Sequence, residues 1–156
     1  MSDATFRARL KAILDGVSTA KNVSDYLRYF NELDDYTAAF RTADNIIHCW
    51  MITLAEIPIE RPSRVLGGDG IELLENYTYN ILGYYGVDDS AGSEKVFVPI
   101  VEAVKTALNS DTTLHTSGAT FRDAPPCQVV IEPVIWGGVL CHRATITQMI
   151  QAKVNT

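Results

Sequence analysis

The sequence is poor in basic residues. Its 156 residues include 13 Lys and Arg against 19 Asp and Glu, which gives a formal net charge of −6 at pH 7. Tight binding to a nucleic-acid backbone requires basic patches that neutralise phosphates, so this balance argues against a nucleic-acid-binding function. The same net charge favours solubility.

Long apolar runs and targeting signals are also missing. No stretch approaches the ~20 apolar residues of a membrane span, and the segment from Met1 to Ala4 lacks the basic and apolar regions of a signal peptide. The three cysteines, Cys49, Cys127 and Cys141, are an odd number without a regular spacing. We therefore expect free thiols and a reducing compartment.

The stretch from Leu73 to Asn109 carries the clearest structural pattern. Apolar or aromatic residues alternate with polar ones over 73–87, which predicts a long strand with one buried face. Residues 88–92 have the composition of a turn, and from residue 96 the apolar residues recur with the 3.6-residue period of a helix. The helix is expected to pack back on the strand. The residues predicted to meet across this contact are Tyr79, Ile81, Phe97, Val101 and Val104.

The remaining elements follow from the same criteria. Helices are predicted over 3–14 and 24–30, a strand over 46–57, and a hairpin of strands 127–136 and 139–150 around Gly137-Gly138. Segment 31–41 is interpreted as a connection. Because Pro133 cannot donate to a ladder, its strand is expected at a sheet edge or with a bulge. Pro99 leaves two alternatives for the 93–109 helix: a kinked helix from Ser93, or a regular helix that begins with Pro99.

Together these elements predict one α+β domain over residues 1–156. The predicted order is α-β-β-α-β-β, with an antiparallel sheet of about four strands packed by helices. The 46–57 strand is nearly continuous in apolar residues. Both of its faces are therefore expected to be covered, one of them by a neighbouring subunit.

Two adjacent His–Cys pairs, His48-Cys49 and Cys141-His142, are the main candidates for chemistry. Adjacent residues in a strand point to opposite faces, so each pair can give only one ligand to a given side. The spacings typical of zinc sites are absent. A Cys–His nucleophilic pair meets the same objection and lacks an oxyanion-hole signature. We interpret the four as sheet residues with buried thiols, and expect no metal, no cofactor and no catalytic centre.

Three other motifs have a structural interpretation. The glycine-rich run 67–70 lacks both the GK[ST] ending of a phosphate loop and a following helix, which favours a flexible loop. Asp88-Asp89 could bind a cation, but acids before a turn are typical of a helix start. Trp50 and Tyr84 are candidate interface aromatics. The row Tyr77, Tyr79 and Tyr85 is interpreted as core packing.

The loop from Pro58 to Gly70 is longer than the connection of two strands requires. Loops of this length inside a small domain are usually functional or disordered. It carries Arg61 and Arg64 in an otherwise acidic chain. We expect Arg61, Arg64 and Asp69 to contact a partner surface; the alternative is a disordered linker with incidental charge.

Residues 79–94, reading YNILGYYGVDDSAGSE, together with the helix from Phe97 to Leu108, resemble the tail terminator (tail completion) proteins of long-tailed bacteriophages. The terminal hairpin, 129–132 with 139–142, fits the same layout, whereas Pro99 and the glycine-rich 61–70 loop depart from it. The resemblance implies a structural virion protein, made in the host cytoplasm and located in the tail or neck.

The family's partners are also implied by the resemblance. Such proteins form a ring, usually a hexamer, on the last ring of the tail tube protein, stop its polymerisation and dock the head-side connector or stopper. DNA passes through the lumen without specific binding, which suits an acidic chain. The alternatives are another neck protein, a small hydrolase or metal enzyme built around the two His–Cys pairs, and a cytosolic α+β dimer that binds a small ligand.

Overall fold

A computed structural model describes residues 3–28, 33–56, 65–67, 70–110 and 126–154. The elements in these ranges are α1 (Asp3–Asp15), β1 (Val23–Ser24), α2 (Leu33–Ala39), β2 (His48–Glu56), β3 (Val65–Gly67), β4 (Gly70–Gly86), α3 (Ser93–Ser110), β5 (Gln128–Trp136) and β6 (Val139–Val154). The fold is therefore α+β, as expected. None of the helices in these ranges combines the length and hydropathy of a membrane span.

The sheet is built around β4. Its strand order is β1-β2-β4-β6-β5, and β3 pairs with the beginning of β4. All pairs are antiparallel except β1, which lies parallel to β2 through Val23 beside Trp50. The sheet is thus mixed and has more strands than the four that were expected.

Segment 23–41 differs from the sequence prediction. The expected helix over 24–30 is wrong, because Val23 and Ser24 pair with β2 and residues 25–28 are not helical. The apolar spacing was misleading, since Tyr26 is 55% exposed. The predicted connection over 31–41 instead contains α2. The acid Asp35 in the first turn of α2 favours a helix start there.

Helix α3 runs without interruption from Ser93 to Ser110, with Pro99 inside it. The first of the two alternatives for its start is therefore correct. The Ser93 hydroxyl accepts a hydrogen bond from the Asp88 backbone N–H at 2.9 Å, and the Ser93 N–H donates to the Asp88 carbonyl at 3.0 Å. These two bonds close the turn that separates β4 from α3.

One face of the sheet packs on α1 and α3 and holds the main core. Tyr79 and Ile81 lie in the same buried cluster as Phe97, Val101 and Val104, which confirms the predicted strand–helix contact. The tyrosine row is also core packing as expected: Tyr79 is fully buried, and Tyr77 and Tyr85 pack against the cluster. The Tyr79 hydroxyl donates to Asp3 at 2.8 Å and so ties α1 to β4.

The opposite face holds a second cluster formed by Phe40, Ile47, Cys49, Met51, Tyr84 and Cys141. Both faces of β2 are therefore covered, as predicted from its apolar run. Residues of this chain cover both faces, because Phe40 follows α2 and packs on the face opposite the helices; the expected cover by a neighbouring subunit is not required.

The C-terminal hairpin matches the prediction. Gly137 and Gly138 have φ values of 57° and 76°, which two-residue type I′ turns require. β5 ends the sheet, so Pro133 lies in an edge strand as expected. Within the loop predicted over 58–70, residues 65–67 instead form β3, which pairs with β4 from Val65 opposite Glu72 to Gly67 opposite Gly70; residues 58–64 and 68–69 lie outside the described residues.

A close contact joins Trp50 of β2 to Gly83 of β4, which are directly opposite each other. A Cβ atom placed on Gly83 would lie 2.6 Å from two carbons of the Trp50 ring, closer than real side chains approach. The indole is fully buried and packs at 6.2 Å from the Phe97 ring under α3. The missing side chain of Gly83 therefore creates the space that Trp50 occupies.

We predict that Gly83→Ala destabilises the protein. Overpacking of a tight core typically costs about 1–3 kcal/mol, and for a chain of this size each kcal/mol lowers the melting temperature by about 2–4 °C. Gly86→Ala is the matched control, because a Cβ there meets its nearest neighbour at 3.6 Å. Thermal unfolding of both variants checks this. Equal melting temperatures would contradict the assigned packing of Trp50.

Candidate subunit interface

The outer edge of β5 pairs with no other strand among the residues that the structure describes. Four large apolar side chains on the hairpin are exposed: Val130 at 58%, Ile131 at 39%, Ile135 at 79% and Leu140 at 50%. Open edges with apolar side chains invite association with another chain.

Three of these side chains share one face of the sheet. Ile131 is paired with Ala144, which lies in the core beneath the helices, and Ile135 is paired with Leu140. Directly paired residues of antiparallel strands point to the same side, and alternate residues of a strand share a face. Ile131, Ile135 and Leu140 therefore form an apolar row on the helix side, beyond the cover of α3. We call this row the β5 strip.

A cleft lies near the opposite edge of the sheet, where β2 begins. Its volume is about 500 Å³, and it is lined by Lys21, Asn22, Arg41, Thr42, Ala43, Asp44, Ile46, His48 and Tyr85. We call it the end cleft. An adjoining hollow of about 240 Å³ reaches the start of α3 at Ser93 and Val96, and shares Arg41, Ile46 and Tyr85 with the cleft.

The wall of the end cleft is a tight turn that precedes β2. Arg41 forms a β-bridge with Ile47, the Thr42 N–H donates to the Ile46 carbonyl at 2.8 Å, and the Asn45 N–H donates to the Thr42 carbonyl at 2.9 Å. Asn45 has a φ of 61°, a left-handed conformation that asparagine tolerates better than most residues. This turn leaves Ile46 38% exposed at the rim of the cleft.

Two cations lie in the end cleft without a carboxylate partner. Arg41 donates from Nη1 to the Asn45 carbonyl at 2.6 Å, and Lys21 donates to the Ser18 carbonyl at 2.7 Å. Within the described ranges, neither side chain forms an ion pair. The cleft therefore combines an apolar part, formed by Ala43, Ile46 and Tyr85, with two cations and the Asp44 carboxylate.

The two His–Cys pairs are divided between the faces of the sheet, as strand alternation requires. His48 packs against the Tyr85 ring at 5.2 Å, and His142 stacks with Phe97 on the same side. Cys49 and Cys141 lie in the cluster on the other side. In the part of the chain that the structure describes, no three His, Cys, Asp or Glu side chains gather as a metal ligand set would.

The thiols are not poised to react. Burial, with a smaller contribution from Cys141, raises the pKa of the Cys49 thiol far above its ordinary value. Burial also raises the pKa of Cys141 to about 11, against an opposing effect of Arg41. Because the thiolate is the nucleophile and the metal ligand, these two cysteines are predominantly protonated and inert at neutral pH.

A Ser–His contact was missed by sequence reasoning. Ser93 Oγ lies 2.9 Å from His142 Nε2, although the two residues are far apart in sequence. The hydroxyl already accepts the Asp88 N–H at the start of α3, and Ser93 is only 4% exposed. The contact therefore joins α3 to β6, and only the turn composition of 88–92 indicated that Ser93 occupies a helix start.

Asp88, the first residue of the acidic pair, accepts hydrogen bonds within the turn between β4 and α3. Asp88 Oδ1 accepts hydrogen bonds from Ser90 Oγ at 2.7 Å and from the Ala91 N–H at 3.2 Å. These bonds, that of Ser90 first, lower the pKa of the Asp88 carboxyl. The interpretation of Asp88 as helix-entry charge agrees with these contacts.

The sequence-predicted interface residues have different outcomes. Trp50 and Tyr84, the candidate interface aromatics, are both buried inside the chain. Trp50 is fully buried over Gly83, while Tyr84 is 6% exposed because its ring stacks on Trp136 at 4.6 Å. The predicted partner contacts Arg61, Arg64 and Asp69 lie outside the described residues.

No protein-family model matches this chain, and no curated protein sequence matches it. Its function is therefore inferred from its own surfaces and from the resemblance of residues 79–108.

We predict that His48 makes the stability depend on pH. Burial, reinforced by Lys21, lowers the pKa of His48 from 6.5 to about 4, and the neutral Nε2 accepts the Trp50 indole N–H at 3.3 Å. Because the unfolded state binds the proton more tightly, this stabilisation is complete above pH 6.5 and is lost as the pH falls towards 4. Melting temperatures from pH 7.5 to 4 measure it.

The matched variant for this test is His48→Gln, which keeps a hydrogen-bond acceptor and does not titrate. Its melting temperature should fall less steeply over the same pH range than that of the wild-type protein. Parallel curves for the two proteins would assign the pH dependence to other groups.

Proposed function

We propose that this protein is a structural subunit of the virion of a long-tailed bacteriophage. As a tail terminator it would form a ring on the end of the tail tube, stop tube polymerisation and present a surface to the head-side connector. The observation that carries this proposal is the open edge of β5 with its apolar strip. A subunit that works by assembly needs such a surface.

The β5 strip is difficult to explain in a protein that acts as a monomer. Ile135 is 79% exposed, and the one charged residue of β5, Glu132, already forms an ion pair with Arg143. Proteins usually protect a sheet edge with short strands, charges or covering loops. Burying apolar surface contributes roughly 25 cal/mol per Å². Covering this edge with another subunit is therefore favourable.

The finer parts of the proposal rest on the resemblance. We propose a hexameric ring, with the tail tube protein on one side and the head-side connector or stopper on the other. The net charge of −6 supports passage of DNA through the lumen, because an acidic wall repels phosphates. Arg61, Arg64 and Asp69 remain the proposed contacts of the 58–70 loop with the adjacent subunit or the last tube ring.

The division of the His–Cys pairs between two faces favours this structural role over an enzyme built on them. The two buried cysteines have raised pKa values, and the Ser93 hydroxyl is part of a helix start. Another neck protein, such as a head-completion or stopper protein, is the remaining alternative in the same class. It would bind the connector and not the tube.

We predict that the purified protein binds the ends of isolated tail tubes and has the mass of a closed ring there or in solution. Light scattering gives the mass, and electron microscopy of tubes with bound protein gives the location. Ile135→Glu should abolish ring formation, because it places a charge in the apolar contact. Thr106→Glu on the exposed surface of α3 is the matched control. Binding to isolated connectors, with none to tubes, would favour the stopper alternative.

A further inference from the structure

We infer that the β5 strip of one copy packs into the end cleft of the next copy. The inference rests on the proposed ring and specifies its contact. Interfaces that join two different surfaces of identical subunits repeat head to tail, and they close into a ring when the rotation between neighbours closes. Three observations indicate that the β5 strip and the end cleft are positioned to form such a contact.

The first observation is that the two surfaces lie at opposite lateral edges of the sheet. The strand order ends with β5 on one side and with β2 and the short β1 on the other. The strip lies on the β5 hairpin. The cleft is bounded by the turn at residues 41–46, which lies beside the beginning of β2. A copy placed beside another and rotated about a common ring axis therefore brings its strip towards the neighbour's cleft.

The second observation is that both surfaces lie at the same end of the strands. One row of paired residues crosses the sheet from His48 to Tyr85, His142 and Pro133. His48 and Tyr85 line the cleft. On the other side of the sheet, Ile135 and Leu140 lie only two residues beyond this row. The two surfaces are therefore level with each other, so neighbouring copies meet without a shift along the strands.

The third observation is chemical complementarity. The cleft offers the exposed Ile46 side chain and the Tyr85 ring to an aliphatic group, and its volume of about 500 Å³ admits several side chains. Ile135 is the most exposed large apolar residue of the hairpin. The aliphatic side chains Ile131 and Leu140 lie on the same face as Ile135 and extend this apolar surface.

The test uses one variant of each surface. Ile135→Glu disables the strip and leaves the cleft intact, whereas Ile46→Glu disables the rim of the cleft and leaves the strip intact. Both residues are exposed, so the fold should be retained. Far-UV circular dichroism and melting temperature verify this. Each variant alone should have the mass of one chain under conditions in which the wild-type protein forms rings.

An equimolar mixture of the two variants is the decisive measurement. The intact strip of Ile46→Glu can enter the intact cleft of Ile135→Glu, so the mass should double to that of a dimer and rise no further. Thr106→Glu, the control, should form rings alone. Adding it to either variant should give oligomers of both proteins, and their growth should end at a subunit with the defective surface. Native mass spectrometry reads all of these masses.

Three results would overturn the inference while leaving the proposed function standing. Rings of Ile46→Glu would show that the cleft does not receive the strip. A mixture that stays monomeric would show that the two surfaces do not meet. If Ile46→Glu formed rings that no longer bound tail tubes, the cleft would be a binding site for the tube protein and not for the neighbouring copy. A wild-type protein that forms no ring, alone or on tubes, would refute the proposed function and this contact together.

Discussion

The pairing of β4 on both sides is the constraint on which the rest of the structure depends. β2 and β6 hydrogen-bond to its two edges, so every side chain of its central part is directed to one face or the other. The face with Tyr79 and Ile81 receives α1 and α3, and the face with Tyr84 receives Phe40 after α2. Gly83 interrupts the first face and admits the Trp50 ring. Two cores of unequal size result from one strand.

The parts of the fold that local pattern determines were predictable. The strand over 73–87, the helix that follows the turn at 88–92 and the hairpin at Gly137-Gly138 each rest on periodicity or turn chemistry within a short segment, and each is present; the choice between Ser93 and Pro99 as the helix start was not determined by the sequence. Segment 23–41 was not predictable in this way. Val23 becomes a strand because β2 lies beside it, and such a tertiary contact overrides the helical spacing of its neighbours.

The candidate interface was only partly visible in the sequence. Trp50 and Tyr84 are large aromatics of the kind found at interfaces, but Gly83 and Trp136 provide them with partners inside the chain. The exposure of Ile135 could not be predicted from the sequence of β5. The pattern of apolar and polar residues along this strand would be the same whether or not a helix covered it. The end cleft depends on the left-handed Asn45 and the bridge from Arg41 to Ile47. Neither has a distinctive sequence signal.

Pro133 has a consequence for aggregation. Proline has no N–H, and in an edge strand it is tolerated where that donor would have pointed outwards. A foreign strand that approached β5 would therefore meet a gap in the middle of the ladder, and the cross-β stacking of amyloid, which requires uninterrupted backbone pairing, would be disfavoured. The same edge keeps its aliphatic side chains available. The hairpin can thus bind a partner through its exposed aliphatic side chains. Backbone pairing with further strands, which fibre growth requires, is disfavoured at the same edge.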